Sequence, residues 1–123
     1  MESALEIQCK RLWQECMQKI WGKHCMWCKK YKPISGHHII PRGYYLTKYE
    51  LMNGVGICVE CHNKIHGEAG AELEFAQYLD AEWPDLWLWH HRMRPKAKQA
   101  HGGWSEDELK EIKAELRRFL HDY

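Results

Sequence analysis

Apolar side chains recur at every third or fourth position near the start of the chain. Leu5, Cys9, Leu12, Cys16 and Ile20 form the stripe, and Trp13, Met17 and Trp21 widen it. That period predicts an amphipathic helix over 2–21, stopped by Gly22. The period then breaks at a cysteine knuckle, Cys25-Met26-Trp27-Cys28, and a basic turn through Pro33. A short strand is predicted over 34–40, ended by Pro41 and Gly43. A loop carrying Tyr44, Tyr45 and Tyr49 leads to Asn53-Gly54, a turn signal. A second short strand follows over 55–58, then a short helix over 60–66 closed by Gly67. Further on, a helix is predicted over 71–81, before Trp83-Pro84. The apolar and aromatic stretch 86–93 reads as a strand or a packed extended segment, and 95–103 as a polar linker. Ser105 and Glu108 form a capping box that opens a helix over 105–121. One face of that helix carries Leu109, Ile112, Leu116, Phe119 and Leu120, and either packs on the rest of the chain or mediates a homodimer. The expected class is α+β: an N-terminal helix (1–22), a central core (23–68) and a mainly helical C-terminal extension (69–123).

A chain of 123 residues suits one compact domain, and a 45% hydrophobic fraction with seven tryptophans fits a folded core. No apolar run is long enough to span a membrane. The start, Met1-Glu2-Ser3-Ala4, has neither the basic leader nor the apolar stretch of a secretory signal, so a cytoplasmic location is expected. Thiols stay reduced there, and six cysteines then point to metal before disulfide. The net charge of +1 conceals an uneven spread. Between Cys16 and Tyr49 there is no acidic residue, while Lys19, Lys23, Lys29, Lys30, Lys32, Arg42 and Lys48 all lie there. Such a stretch is either a solvated lysine face or a footing for a polyanion such as nucleic acid.

Cys25 with Cys28, and Cys58 with Cys61, make two CxxC pairs. Zinc takes four thiolates in a tetrahedron, and two knuckles supply them without straining the backbone. Four thiols packed as small hydrophobes, or a redox-active CxxC, explain two matched pairs less well. Cys9 and Cys16, seven apart on the helical stripe, have the spacing of core residues.

Between the knuckles runs Ser35-Gly36-His37-His38-Ile39-Ile40-Pro41. Later comes Asn53, then Cys58-Val59-Glu60-Cys61-His62-Asn63-Lys64-Ile65-His66. His62 and His66, four apart on a predicted helix, project about 40° from each other and can share one divalent cation. His37 and His38 are neighbours on a predicted strand, so they point to opposite faces. One of them can join the helical pair, leaving the other free for proton transfer. The remaining histidines, His24, His90, His91, His101 and His121, are assigned to surface or packing.

A doubled histidine before an apolar pair and proline, then asparagine, then C-x-x-C-H-x-x-x-H, resembles the HNH endonuclease family over about 25–66. The resemblance implies a ββα-metal core braced by a four-cysteine zinc site, and a metal-dependent DNA endonuclease of a kind frequent in bacteriophages. It makes His37, His62 and His66 ligands of a catalytic divalent metal (Mg2+, Mn2+, Ni2+ or Zn2+), with Asn63 in reserve. It makes His38 the general base, and Asn53 the residue that braces the loop and orients that base. Cys25, Cys28, Cys58 and Cys61 are left to structural zinc. Cleavage leaving 5′-phosphate and 3′-hydroxyl ends is implied as well. The competing expectation is a catalytically inactive, zinc-stabilised DNA-binding or assembly module, and RNA cleavage is a third.

Arg42, Lys48 and Lys64 are the candidate phosphate-binding residues, with Tyr44 and Tyr45 either contacting nucleic acid or packing. Arg92, Arg94, Lys96 and Lys98 alternate, so on an extended segment they line one side, as a phosphate strip or a solubilising edge.

Overall fold

The computed structural model describes residues 2–122; Met1 and Tyr123, the outer ends of the expected 1–22 and 69–123 segments, lie outside the described residues. Helix α1, Ala4–Trp21, begins where Ser3 Oγ accepts the Glu6 N–H at 3.1 Å and ends at Gly22, whose φ of 76° suits glycine. Its buried side, Cys9, Leu12, Trp13, Cys16 and Met17, follows the predicted stripe.

Strands β1, Ile34–His38, and β2, Gly54–Cys58, pair antiparallel with Ile34 opposite Cys58 and His38 opposite Gly54. One face of this pair lies against α1. A Cβ added at Gly36 or Gly54 would overlap Trp13 and Met17, and one at Gly56 would overlap Ile34 and Trp21. Glycine therefore lets the helix approach the sheet closely. Gly54 is extended, with φ −146°, so it serves as a gap for Trp13 rather than as the expected turn residue; Asn53 closes a 3₁₀ turn, Leu51–Asn53. The other face of the sheet puts Val55 and Ile57 into a core with Ile65, Phe75 and Leu79.

Four helices follow: α2, Val59–Gly67; α3, Ala71–Glu82; α4, Pro84–Gln99; and α5, Glu106–Asp122. The class is α+β, with five α-helices and one two-stranded sheet among the described residues. Helix α4 corrects two expectations. Residues 86–93 are helical rather than extended, and the helix runs on through Pro95 into the expected linker. Pro84 sits in the first turn, where its missing N–H costs nothing. His90 and Ala97, seven apart, bury the same side. The helix continues past Pro95 although the proline lacks the N–H for one helical hydrogen bond, a cost of about 3 kcal/mol. The capping box forms as expected: Ser105 N–H donates to Glu108 Oε1 at 2.9 Å, and Glu108 N–H to Ser105 Oγ at 3.1 Å. The apolar face of α5 packs on α1 rather than standing free for a second copy. Cys9 Sγ donates to the Leu109 carbonyl at 3.4 Å and Cys16 Sγ to that of Leu116 at 3.7 Å. No helix among the described residues is long and apolar enough to cross a membrane.

Close approach of α1 gives a direct test. Gly54→Ala is expected to lower stability in urea unfolding by about 1–3 kcal/mol through overpacking. Gly43→Ala, at a position where an added Cβ meets nothing within 4 Å, is expected to change it little. Equal effects would contradict the fit between Trp13 and the glycine face.

Candidate metal centres

Two groups of side chains that could hold a metal ion converge in the structure, and both share α2. The first is Cys25, Cys28, Cys58 and Cys61, whose sulfurs all lie within 4.8 Å of one another. Four thiolates at about 2.3 Å from a tetrahedral ion sit about 3.8 Å apart; Cys28 Sγ and Cys58 Sγ are 3.9 Å apart. Cys58 ends β2 and Cys61 lies in the first turn of α2, so the cluster ties strand, helix and knuckle together. The knuckle also pairs with the sheet, since the Met26 N–H donates to the Gly56 carbonyl at 2.9 Å. Burial pushes the Cys25 thiol up, but the backbone N–H groups of Cys28, Cys58 and Trp27 outweigh it and hold the thiol at about 7. Cys61 is pushed far up, by burial first and then by the Cys25 and Cys58 sulfurs beside it. A divalent cation relieves that crowding of charge by taking the place of the protons. The donor set fits zinc.

The second group is His37, His62 and His66, whose ring nitrogens also lie within 4.8 Å of one another. His62 Nε2 and His66 Nε2 are 3.0 Å apart, the edge of an octahedron with bonds of about 2.1 Å and shorter than the roughly 3.4 Å of a tetrahedron with the same bonds. One helical turn sets His62 and His66 on the same side of α2, while Cys61 and Ile65 bury the neighbouring side. His37 reaches them from β1, with ring centroids 5.1 Å from His62 and 5.4 Å from His66. Burial, then the charges of His62, His66 and His38, lowers His37 to about 4, so its lone pair is free at neutral pH. His62 is lowered too, by burial and then by His66.

His38 points to the other face of β1, as the pleat requires. Its ring stacks on Trp13 with centroids 4.0 Å apart and planes 7° from parallel. Its Nε2 lies 2.9 Å from the Lys48 carbonyl. A carbonyl only accepts, so Nε2 carries the proton and Nδ1 of the neutral ring is an acceptor. Burial lowers the His38 pKa, opposed by that hydrogen bond and aided by the charges of Arg42 and Lys48. All four imidazoles line one cleft of about 640 Å³ between α1, β1, α2 and the α3–α4 pair. Arg42, Lys10, Gln14 and Arg94 line it as well, with Glu72 as a carboxylate in its wall.

Asn53 stands behind this cleft, fully buried. Its Oδ1 accepts the Ile40 N–H at 2.8 Å, and its Nδ2 donates to the carbonyls of Ile40 at 3.0 Å and Thr47 at 3.1 Å. It thereby closes the connection 39–53 just after His38 and fixes the segment that presents the Lys48 carbonyl.

Other expected residues fall elsewhere. The Lys48 ammonium pairs with Glu2 at 3.6 Å and lies over the Tyr49 ring, so this residue meets the site through its carbonyl. Lys64 pairs with Glu74 at 3.4 Å and lies over Trp27, outside the cleft lining. Asn63 is exposed and belongs to neither metal group. Tyr45 packs on Trp104 and donates to the His101 carbonyl, and neither it nor Tyr44 lines the cleft. Arg92, Arg94, Lys96 and Lys98 do not share one side, because successive even positions on a helix diverge by about 200°. Three contributors were not foreseen. Trp13 reads as a core residue by its spacing, yet it also holds His38. Gln14 pairs with the free edge of β1, accepting the Gly36 N–H at 2.7 Å and donating to the Gly36 carbonyl at 3.1 Å. Lys10, one turn before Gln14, sits on the same polar side of α1 and lines the cleft, with its ammonium bonded to Glu2 at 2.9 Å.

Compared with known protein families, curated proteins and solved structures, the chain matches none.

Metal analysis by mass spectrometry separates the two groups. Cys61→Ser is expected to lose zinc and to lower the thermal unfolding midpoint. His62→Ala is expected to keep about one zinc per chain at the cysteines. Zinc content in Cys61→Ser equal to that of the wild type would remove the metal from the cysteine cluster.

Proposed function

We propose that the chain is a metal-dependent DNA endonuclease of the HNH type, in which β1, β2 and α2 form a ββα-metal core braced by zinc on the four cysteines. One observation carries this reading. Three imidazoles converge within 4.8 Å, while a fourth, on the next residue of the same strand, lines the same cleft with its ring held apart from them.

His37, His62 and His66 are the residues that would hold the catalytic ion, and three neutral imidazoles accept several divalent metals. Bound there, such an ion supplies Lewis-acid stabilisation to the scissile phosphate and the departing 3′ oxygen. His38 handles the proton. Its Nδ1 takes a proton from the attacking water, and the resulting imidazolium keeps its Nε2–H on the Lys48 carbonyl and its face on the Trp13 indole. An aromatic face favours a cation over it, so the stack stabilises the charge that the base acquires. Arg42, which shares the cleft lining with His38, holds a phosphate oxygen, and Asn53 keeps the connecting segment in place. Hydrolysis in this arrangement leaves 5′-phosphate and 3′-hydroxyl ends.

Plasmid nicking with added magnesium, manganese or nickel tests the proposal. His38→Ala is expected to slow cutting by roughly 10² to 10⁴. Trp13→Leu, losing one stacked pair worth about 0.5–1.5 kcal/mol, is expected to slow it roughly two- to tenfold. Cutting by His38→Ala at the wild-type rate would remove the general base. DNA binding without cutting under every metal would leave a zinc-braced binding module, and preference for RNA in competition would change the substrate.

A further inference from the structure

Helix α4 lies outside β1 and α2, which carry the four cleft histidines, yet it forms part of the cleft wall through Trp87 and Arg94. Its orientation is set by His90 and Ala97, the buried residues of the helix. At about 100° per residue, Trp87, His91, Arg94 and Lys98 fall within about 60° of one another, beside that buried line. Arg92 and Lys96 fall on the far side. The cleft-side stripe therefore runs about 16 Å along the axis, from the cleft wall to exposed chain at Lys98. None of His91, Arg94 and Lys98 has a carboxylate within ion-pair distance among the described residues. The helix carries one acid, Asp85, in its first turn.

Resting on the nuclease reading above, we infer that this stripe is a second phosphate-binding surface, which holds the DNA backbone as it leaves the cleft. A small anion needs donors that converge on one point. These donors are instead strung out one turn apart, and Arg94 and Lys98 are separated by about 6 Å along the axis. That spacing is comparable to the step between successive phosphates of a strand. The ligand chemistry is thus an extended polyanion, entering at Arg94 beside the histidines and continuing to Lys98. Contacts of this kind position the substrate and carry no sequence preference.

The test is a salt titration of wild-type binding to a fluorescent DNA duplex without added divalent metal, compared with four variants. Each cation that contacts a phosphate contributes about 0.9 to the slope of log K against log salt. Arg94→Gln and Lys98→Gln are each expected to reduce the slope by about that amount and to weaken binding equally on unrelated sequences. Arg92→Gln and Lys96→Gln remove the same charge from the opposite side and are expected to leave the slope in place. Equal slopes for front and back variants, or no change in any, overturn the surface. Binding is read here without cutting, so the two failures are distinct. A wild type that binds with the expected slope pattern but never cuts overturns the nuclease reading alone. A wild type that cuts while Arg94→Gln and Lys98→Gln keep its slope overturns the surface alone.

Discussion

Adjacent side chains on a strand point to opposite faces, and in β1 that alternation sorts two neighbouring imidazoles into different surroundings. His37 turns toward α2 and meets His62 and His66. His38 turns toward α1 and lies flat on Trp13. Both rings line one cleft. A slip of one residue in the pairing with β2 would exchange the two rings. It would also drive Gly36 and Gly54 out of the space left for Trp13 and Met17. The register and the separate surroundings of the two rings are therefore one constraint.

A two-stranded sheet is marginal in water by itself, and this one is held at both ends. At the Ile34–Cys58 end stands the cysteine cluster, with the Met26 N–H bonded to β2. At the His38–Gly54 end, Asn53 commits its whole amide to Ile40 and Thr47. Stranding any of those buried backbone groups costs roughly 1–3 kcal/mol. Between the ends, Gln14 serves the free edge of β1 like a missing third strand. The elements around the site are thus tied at both ends and along the edge.

Much of this architecture is legible in the chain. The two CxxC pairs, the i, i+4 histidines and the doubled histidine on a short strand are local patterns whose geometry follows from helix and strand periods alone. The Ser105–Glu108 box and the α1 stripe belong to the same kind. Helix α4 is not legible in this way. Its tryptophans and Leu86 look strand-like, and Pro95 looks like a boundary, while the packing of His90 and Ala97 that overrides both comes from distant residues. The lysines illustrate the same limit. Lys48 and Lys64 lie in the motif, yet Glu2 and Glu74 claim their ammonium groups. Arg94, remote in sequence, reaches the cleft.

The central claim is that one ion sits among His37, His62 and His66 while His38 stays free of metal. A crystal structure of manganese-soaked protein, with anomalous data at the manganese edge, measures this directly. The account predicts a single manganese peak bonded to those three imidazoles, and none at His38. A peak bonded to His38, or three rings turned apart with no ion between them, would contradict it.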